Sequence, residues 1–334
     1  MLLPEWYPQR GILMAWPDQQ TDWQENLREA QQCYENIIQT VLSYTNVYLI
    51  CRKNQDVAHL ASDAAFQLFT IEAEYDDTWA RDFGPIATQA NGEAITYLDF
   101  GFNGWGQKFE AANDNLLNVA LLKNKVVPNL SDRRQFILEG GSIETDGLGT
   151  LLSTTHCLLA PNRNQPMGLA EIEAYLRKSL GINRFLWLTT GYLAGDDTDS
   201  HIDTLARFCD EKTIAYVQCN DPKDEHYLAL QAMEQELRQF STATGDPYTL
   251  VPLPMATPAY DDVQQRLPAT YANFLILNEA VLMPTYGTST DQQAIKQMKK
   301  AFPGKAVIGV NCSALIKQHG SLHCITMQLP QSAP

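Results

Sequence analysis

Apolar residues recur at steps of three and four in five stretches of the chain, and each stretch predicts an amphipathic helix. In Thr21–Tyr44 the stripe is Trp23, Leu27, Ala30, Tyr34, Ile37 and Val41, and Thr21-x-x-Gln24 predicts a capping box at its start. Glu110–Leu122 carries a weaker stripe. Leu169–Leu180 stops at Gly181, as helices do where the next residue must turn left-handed. Asp224–Phe240 presents Tyr227, Leu230, Met233, Leu237 and Phe240, and Thr290–Phe302 opens with Thr290-x-x-Gln293 and ends before Pro303.

Short runs rich in Val, Ile, Tyr and Phe lie between these helices and predict strands. They include Gly11–Trp16, Asn46–Cys51, Ile95–Phe100, Leu151–Thr154, Phe185–Thr189, Thr213–Cys219, Phe274–Leu277, Val281–Pro284 and Ala306–Val310. The alternation is that of an α/β protein. Helix starts near residues 21, 110, 169, 224 and 290 divide the chain into five strand–helix–strand units. A doubly wound sheet gives the same alternation and, on pattern alone, ranks ahead of a radial repeat. No Pro/Gly/Ser-rich linker interrupts the chain, so residues 1–334 are expected to form a single catalytic domain.

Composition narrows the function classes. With 24 Lys plus Arg against 39 Asp plus Glu the net charge is −15, which repels phosphate backbones and attracts small cations; no nucleic-acid partner is expected. The apolar runs are far short of the roughly 20 residues of a membrane span, so no membrane partner is expected either. Met1-Leu2-Leu3-Pro4-Glu5-Trp6 lacks the basic and apolar regions of a signal peptide. The seven cysteines are odd in number, widely spread and without a C-x-x-C, as free thiols in a reducing compartment would be. The expected location is cytoplasmic. Phosphate-loop, dinucleotide, H-E-x-x-H and G-x-S-x-G motifs do not occur.

Four polar clusters fall where turns at strand ends are expected. Tyr75–Pro85 holds Asp77 and Asp82 around Trp79 and Arg81; its plainer reading is an Arg–Asp pair holding a turn. Leu138–Gly147 puts Glu139 before Gly140-Gly141. Gly195–Thr204 contains Asp196, Asp197, Asp199, His201 and Asp203. On an extended chain His201 and Asp203 share a face, and a His beside a carboxylate can serve as a general base. The last cluster, His319–Thr326, contains Cys324, a thiol that needs nearby positive charge to become a nucleophilic thiolate. If Asp82 and Asp203 have no protein cation, a guanidinium could pair with them bidentately.

Taken together and in order, these motifs resemble the agmatine deiminase and bacterial peptidyl-arginine deiminase family of the guanidine-modifying superfamily. The resemblance covers essentially the whole chain. It runs through Pro4-Glu5-Trp6, Met14-Ala15-Trp16-Pro17, Trp79-Ala80-Arg81-Asp82-Phe83-Gly84-Pro85, Glu139-Gly140-Gly141, Pro161-Asn162-Arg163-Asn164, Asp196–Asp203, Tyr271-Ala272-Asn273-Phe274 and His323-Cys324-Ile325-Thr326. It implies a five-bladed α/β propeller (pentein) with pseudo-fivefold symmetry and a site on the central axis.

The same resemblance implies the roles. Cys324 matches the nucleophile, His201 the general acid/base, Asp82 and Asp203 the carboxylates that hold the guanidinium, and Glu139 the carboxylate that orients the histidine. Asp197 stands where agmatine deiminases place a carboxylate for the distal amine. Asp77 is a support, and Trp79, with Trp16 and Trp105 as further candidates, walls the substrate. Two departures stand out: Ser200 precedes His201 where Gly is more usual, and the loop His319-Gly320-Ser321 is poorer in glycine.

The implied reaction is hydrolysis of agmatine to N-carbamoylputrescine and ammonia through a covalent Cys324 adduct, with no metal and no organic cofactor. The implied partner is a small cationic guanidino substrate, and a homodimer is common among relatives. Three alternatives stay open: a deiminase of peptidyl-arginine or another guanidino compound, a zinc hydrolase using His201, Asp203, His323 and Cys324, and a polyamine-binding protein without turnover.

Overall fold

The computed structural model describes residues 1–331 other than 63 and 91. Five sheets of three or four strands share one topology. In each, a short strand pairs antiparallel with the next one, a helix follows, and a third strand lies parallel to the second. The hairpins Ile86–Thr88/Thr96–Gly101, Ile143–Thr145/Thr150–Thr154, Ala206–Phe208/Thr213–Gln218 and Leu275–Ile276/Ala280–Thr285 lead through helices to Ser131–Ile137, Arg184–Leu188, Thr249–Pro254 and Ala306–Asn311. In the remaining sheet the chain's last strand, Met327–Pro330, pairs antiparallel with its first, Gln9–Ala15, which then runs parallel to Asn46–Cys51. The two ends of the chain therefore meet in one sheet. A doubly wound arrangement would need one continuous sheet, and the strands are instead divided among separate short ones.

The five crossover helices are Leu27–Val41, Leu117–Lys123, Leu169–Leu180, Tyr227–Gln239 and Asp291–Ala301, one inside each stretch where the periodicity predicts one or at its edge. Ala30, Cys33, Tyr34, Ile37, Ile38 and Val41 form the buried face of the first, at the spacing of one helical stripe. The two capping boxes do not form. Residues 24–26 make a 3₁₀ turn before the first helix, and Asn26 rather than Thr21 precedes its first turn. The Thr290 hydroxyl lies 2.8 Å from the Tyr271 hydroxyl instead of capping its own helix. Hydroxyls with a tertiary partner within reach are lost to the local cap. Among the described residues no helix is long and apolar enough to cross a membrane.

This repeat matters because of what precedes each hairpin. The short helix Ala80–Phe83 ends just before Ile86–Thr88; Glu139 and Gly140–Ser142 lead into Ile143–Thr145; the 3₁₀ turn Ile202–Thr204 leads into Ala206–Phe208. Asn273 stands two residues before Leu275–Ile276, and Cys324 three before Met327–Pro330. Each unit thus delivers a chemistry-bearing residue at the same point, two to five residues ahead of its first strand.

Candidate active site

A cavity of about 480 Å³, counted with its open mouth, is lined by Asp22, Asp77, Trp79, Asp82, Trp105, Phe109, Asp196, Asp197, His201, Asp203, His319 and Cys324 among others. Eight of the ten residues singled out from the sequence lie on its wall. Glu139 and Trp16 do not. Trp16 packs edge-on against Tyr34 at 6.3 Å, and its carbonyl accepts the Tyr75 hydroxyl at 2.6 Å; it is a core residue beneath the site.

Asp82 accepts two N–H groups, from the Gly141 backbone to Oδ1 and from the Trp105 indole to Oδ2, both at 2.9 Å. The turn that presents this indole is left-handed at Trp105 (φ 54°) between two glycines. Arg81 does not pair with Asp82. It reaches Glu5 at 3.0 Å and Gln328, so the Arg–Asp turn expected from the sequence is absent and the Asp82 carboxylate faces the cavity without a protein cation. Burial, with the Glu139 charge adding to it against these two N–H donors, pushes the Asp82 carboxyl up to about 7.

Gly141 is the hinge on which three site residues converge. A Cβ there would lie 2.7 Å from His201 Nδ1, 2.9 Å from Asp82 Oδ1 and 3.0 Å from Asp203 Oδ2, too close for any side chain. Gly320 serves the opposite wall, because a Cβ would sit 2.1 Å from the Trp79 ring. The Trp79 indole is fixed in turn by its N–H to Asp77 Oδ2 at 2.7 Å. Asp77 is therefore occupied in holding Trp79 and the Thr78 N–H, and burial with the Asp22 and Asp114 charges drives its carboxyl well above the usual range.

His201 and Asp203 meet at the cavity through a 3₁₀ turn rather than along an extended strand. Asp199 and Ser200 before them both have positive φ (65° and 64°), a region that favours glycine and that these two residues occupy nonetheless. Ser200 is held there by its N–H to Asp196 Oδ2 at 2.6 Å. The orienting contact from Glu139 to His201 is not made. Glu139 binds Arg163 Nε with both oxygens, at 2.9 and 3.1 Å, and His201 Nε2 is buried without a partner. Burial, then the Arg163 and Lys108 charges and His323, hold His201 well below the usual imidazole range. That direction favours the neutral ring in the empty cavity. At 3.7 Å, Asp82 Oδ1 is beyond hydrogen-bond reach of Nδ1.

Cys324 is 7% exposed, and its thiol lies 3.4 Å from Asn273 Oδ1 and 4.0 Å from Asp203 Oδ2. Asn273 Oδ1 also accepts the backbone N–H groups of His323 at 2.8 Å and Cys324 at 3.3 Å, so one amide fixes the Cys324 backbone and sulfur together. Burial and the Asp203 and Asp82 charges push the thiol well above its usual range. Burial is the first cause of that shift, and a cation between the two carboxyl groups would offset only the part that their charge contributes.

At the mouth, Asp197 is pushed up to about 6 by burial, with Asp196 adding to it and His319 and Lys108 opposing. Its carboxylate takes part in no hydrogen bond among the described residues, whereas Lys108 is held by the Asp197 carbonyl and the Asp199 carboxylate. The sequence carried Asn273, Arg163 and Glu5 inside matched motifs but no signal of what they touch. Asp22 and Phe109 had no motif context that pointed to the cavity, and His319 opened the fourth cluster without being singled out for a part in it. Both ring nitrogens of His323 are taken by carboxylates, which leaves the zinc set His201, Asp203, His323 and Cys324 one ligand short.

The profile of the Porphyromonas-type peptidyl-arginine deiminase family matches residues 1–330. The chain belongs to that family. Membership makes it an enzyme acting on a guanidino C–N bond. Among solved structures, a Porphyromonas gingivalis chain provisionally named arginine deiminase is 48% identical, with 99% of this chain and 98% of that chain covered and a TM-score of 0.92. A Cys-to-Ser variant of C. jejuni agmatine deiminase with substrate bound is 38% identical, with 100% and 97% covered and a TM-score of 0.93. A curated Marinomonas sp. relative, provisionally named agmatine deiminase, is 32% identical over 97% of this chain and 92% of its own. Likeness of fold alone extends to dimethylarginine dimethylaminohydrolase from Pseudomonas aeruginosa (TM-score 0.51, 11% identity, 97% and 100% covered).

Proposed function

We propose that the protein is an agmatine deiminase, hydrolysing agmatine to N-carbamoylputrescine and ammonia. One observation carries this reading: six aspartates, Asp22, Asp77, Asp82, Asp196, Asp197 and Asp203, line the cavity, and no Lys or Arg does. A substrate with a cation at each end suits such a wall, and one with a carboxylate at the far end does not.

In this mechanism the guanidinium binds Asp82 and Asp203, which align its central carbon with Cys324 Sγ. Its charge offsets carboxylate charge beside the thiol and so favours ionisation of the sulfur, and neutral His201 takes the thiol proton. Sulfur attacks, giving a neutral tetrahedral adduct. His201 returns the proton to the departing amine, ammonia leaves, and a cationic thiouronium remains on Cys324. His201 then takes a proton from water as its oxygen bonds to that carbon. Collapse expels the sulfur, which takes the adduct's hydroxyl proton, the ureido product leaves, and His201 gives its proton to solvent. The reaction needs no redox partner.

We also read the five repeated sheets as the blades of a pentein propeller and residues 1–334 as one catalytic domain. The free thiols of all seven cysteines fit a cytoplasmic enzyme. A second reading, peptidyl-arginine deimination, is favoured by the family's name and by the provisional arginine-deiminase name of the 48%-identical P. gingivalis structure. Ammonia release from agmatine, free arginine and a blocked arginine amide, with Cys324→Ala as control, separates them. Release from agmatine alone supports the proposal. Release only from the amide transfers the assignment to peptidyl-arginine, and a folded protein silent on all three overturns both.

A further inference from the structure

Behind Asp203 stands a histidine that this mechanism leaves unused. His323 Nδ1 lies 2.8 Å from Asp203 Oδ2 and Nε2 lies 2.7 Å from Glu5 Oε1, with the side chain 1% exposed. Glu5, brought there by the meeting of the chain's two ends, is held by Arg81 at 3.0 Å, by Arg207 and by the Gln328 amide at 3.0 Å. Arg207 also binds Glu144 at 2.6 Å.

A neutral imidazole has one N–H, yet both of its nitrogens sit at hydrogen-bond distance from carboxyl oxygens. Two protons must therefore be shared among the three groups. Two arrangements satisfy the geometry: an imidazolium between two carboxylates, or a neutral imidazole that donates to Glu5 and accepts from protonated Asp203. Protonation of Glu5 itself is disfavoured, because Arg207 and Arg81 overcome its burial and hold it well below the usual range.

We propose that His323 is a positioning residue that takes a proton from Asp203 when the guanidinium arrives and returns it when product leaves. Asp203 is then a neutral acid in the empty cavity and a carboxylate beneath the substrate. In the empty state Asp203 Oδ2–H donates to His323 Nδ1, Nε2–H donates to Glu5, and Asp203 Oδ1 is buried without a partner. Burial and the Asp82 charge favour this form at Asp203; burial and the charges of Arg207 and Arg81 favour it at His323. When the cation docks, the O–H bond at Asp203 breaks and an N–H bond forms at Nδ1. The resulting imidazolium donates to both carboxylates. The trio keeps a net charge of −1 throughout and exchanges no proton with solvent. The groups facing it are Arg81 and Arg207 on the Glu5 side, Glu144 with a carboxylate oxygen within 4.8 Å of both Glu5 and His323, and Asp82 and Cys324 on the cavity side.

The inference rests on the deiminase reading, and its test separates the two. Agmatine binding to full-length Cys324→Ala protein is measured by calorimetry in two buffers of different ionisation enthalpy, between about pH 6 and 8. The measurement is repeated with His323→Gln added. Glutamine can accept from Asp203 and donate to Glu5 but cannot hold the proton. The added substitution is expected to release about one more proton on binding and to make affinity fall about tenfold further per pH unit of acidification, with the far-ultraviolet spectrum unchanged. Equal proton release and equal pH slopes overturn the relay. If the glutamine variant does not fold, ¹⁵N spectra of the Cys324→Ala protein decide: His323 should change from a neutral ring to an imidazolium on adding agmatine, and an unchanged ring overturns the proposal. Failure of both agmatine and blocked arginine amide to bind, with no turnover by the unmodified enzyme, overturns the deiminase reading and the relay with it.

Discussion

The Trp105 indole donates its N–H to Asp82 Oδ2 at 2.9 Å, so an aromatic wall residue also favours the charged form of a carboxyl group in the cavity. A hydrogen bond to a charged group contributes about 1.5–3 kcal/mol, or roughly one to two decades in an equilibrium. Trp105→Phe keeps most of the wall and removes the donor. At about pH 7 its kcat/KM is expected to fall about tenfold or more. The acid limb of its pH profile should move up by about one unit, and an unmoved limb would limit Trp105 to packing.

Asp82 has its own signature in pH. Its folded-state carboxyl titrates near 7, above the ordinary 3.8, so the folded protein retains a proton there that the unfolded chain has lost. Its contribution to stability is full below about 3.8 and is lost as pH rises through about 7. Asp82→Asn removes this dependence. The Tm of the variant minus that of the parent, both without substrate, should grow between about pH 4 and 7 and level off above. A difference that is flat across this range would mean that Asp82 is ionised in the empty site.

Gly320→Ala tests the wall formed by Trp79. The new carbon would lie 2.1 Å from the indole, and only displacement of the ring or of the nucleophile loop relieves the clash. Overpacking of this kind costs about 1–3 kcal/mol, so Tm should drop by a few degrees. Because the displaced ring is a substrate wall, kcat/KM should fall by at least about tenfold as well. Unchanged kinetics with a lowered Tm would confine Trp79 to a structural part.

Asp197 offers the mouth a carboxylate free of protein partners. Asp197→Asn should raise the KM for agmatine about tenfold while changing kcat less, since the contact is made equally in ground and transition states. A guanidino substrate lacking the distal amine should be indifferent to the substitution. Equal effects on both substrates would remove Asp197 from amine recognition.

Much of the site was legible because its residues sit in short, chemically unusual clusters. Asp82 follows Trp79 and Arg81; His201 and Asp203 close an acidic run; Cys324 follows a histidine. Trp16 was a candidate only through its motif, and its burial beneath the cavity is a matter of side-chain direction that a motif does not encode. The expected Glu139–His201 contact failed for a similar reason. Arg163, 24 residues farther along, reaches the carboxylate first.

By itself the sequence determined the five helices, through periodicities that any buried stripe requires, and the polar clusters that carry Cys324, His201, Asp82 and Asp203 to one cavity. It did not determine how the strands divide into sheets, because a parallel crossover looks the same along the chain whether sheets merge or stay separate. Tertiary structure decided that the two chain ends pair, and so that Glu5 meets His323 across 318 residues. It also decided which partner each charge takes: Arg81 turned to Glu5 and away from Asp82, and Arg163 took Glu139. Such choices depend on distances of a few ångströms between distant segments, and the burial that moves their proton affinities arises only when the units pack together.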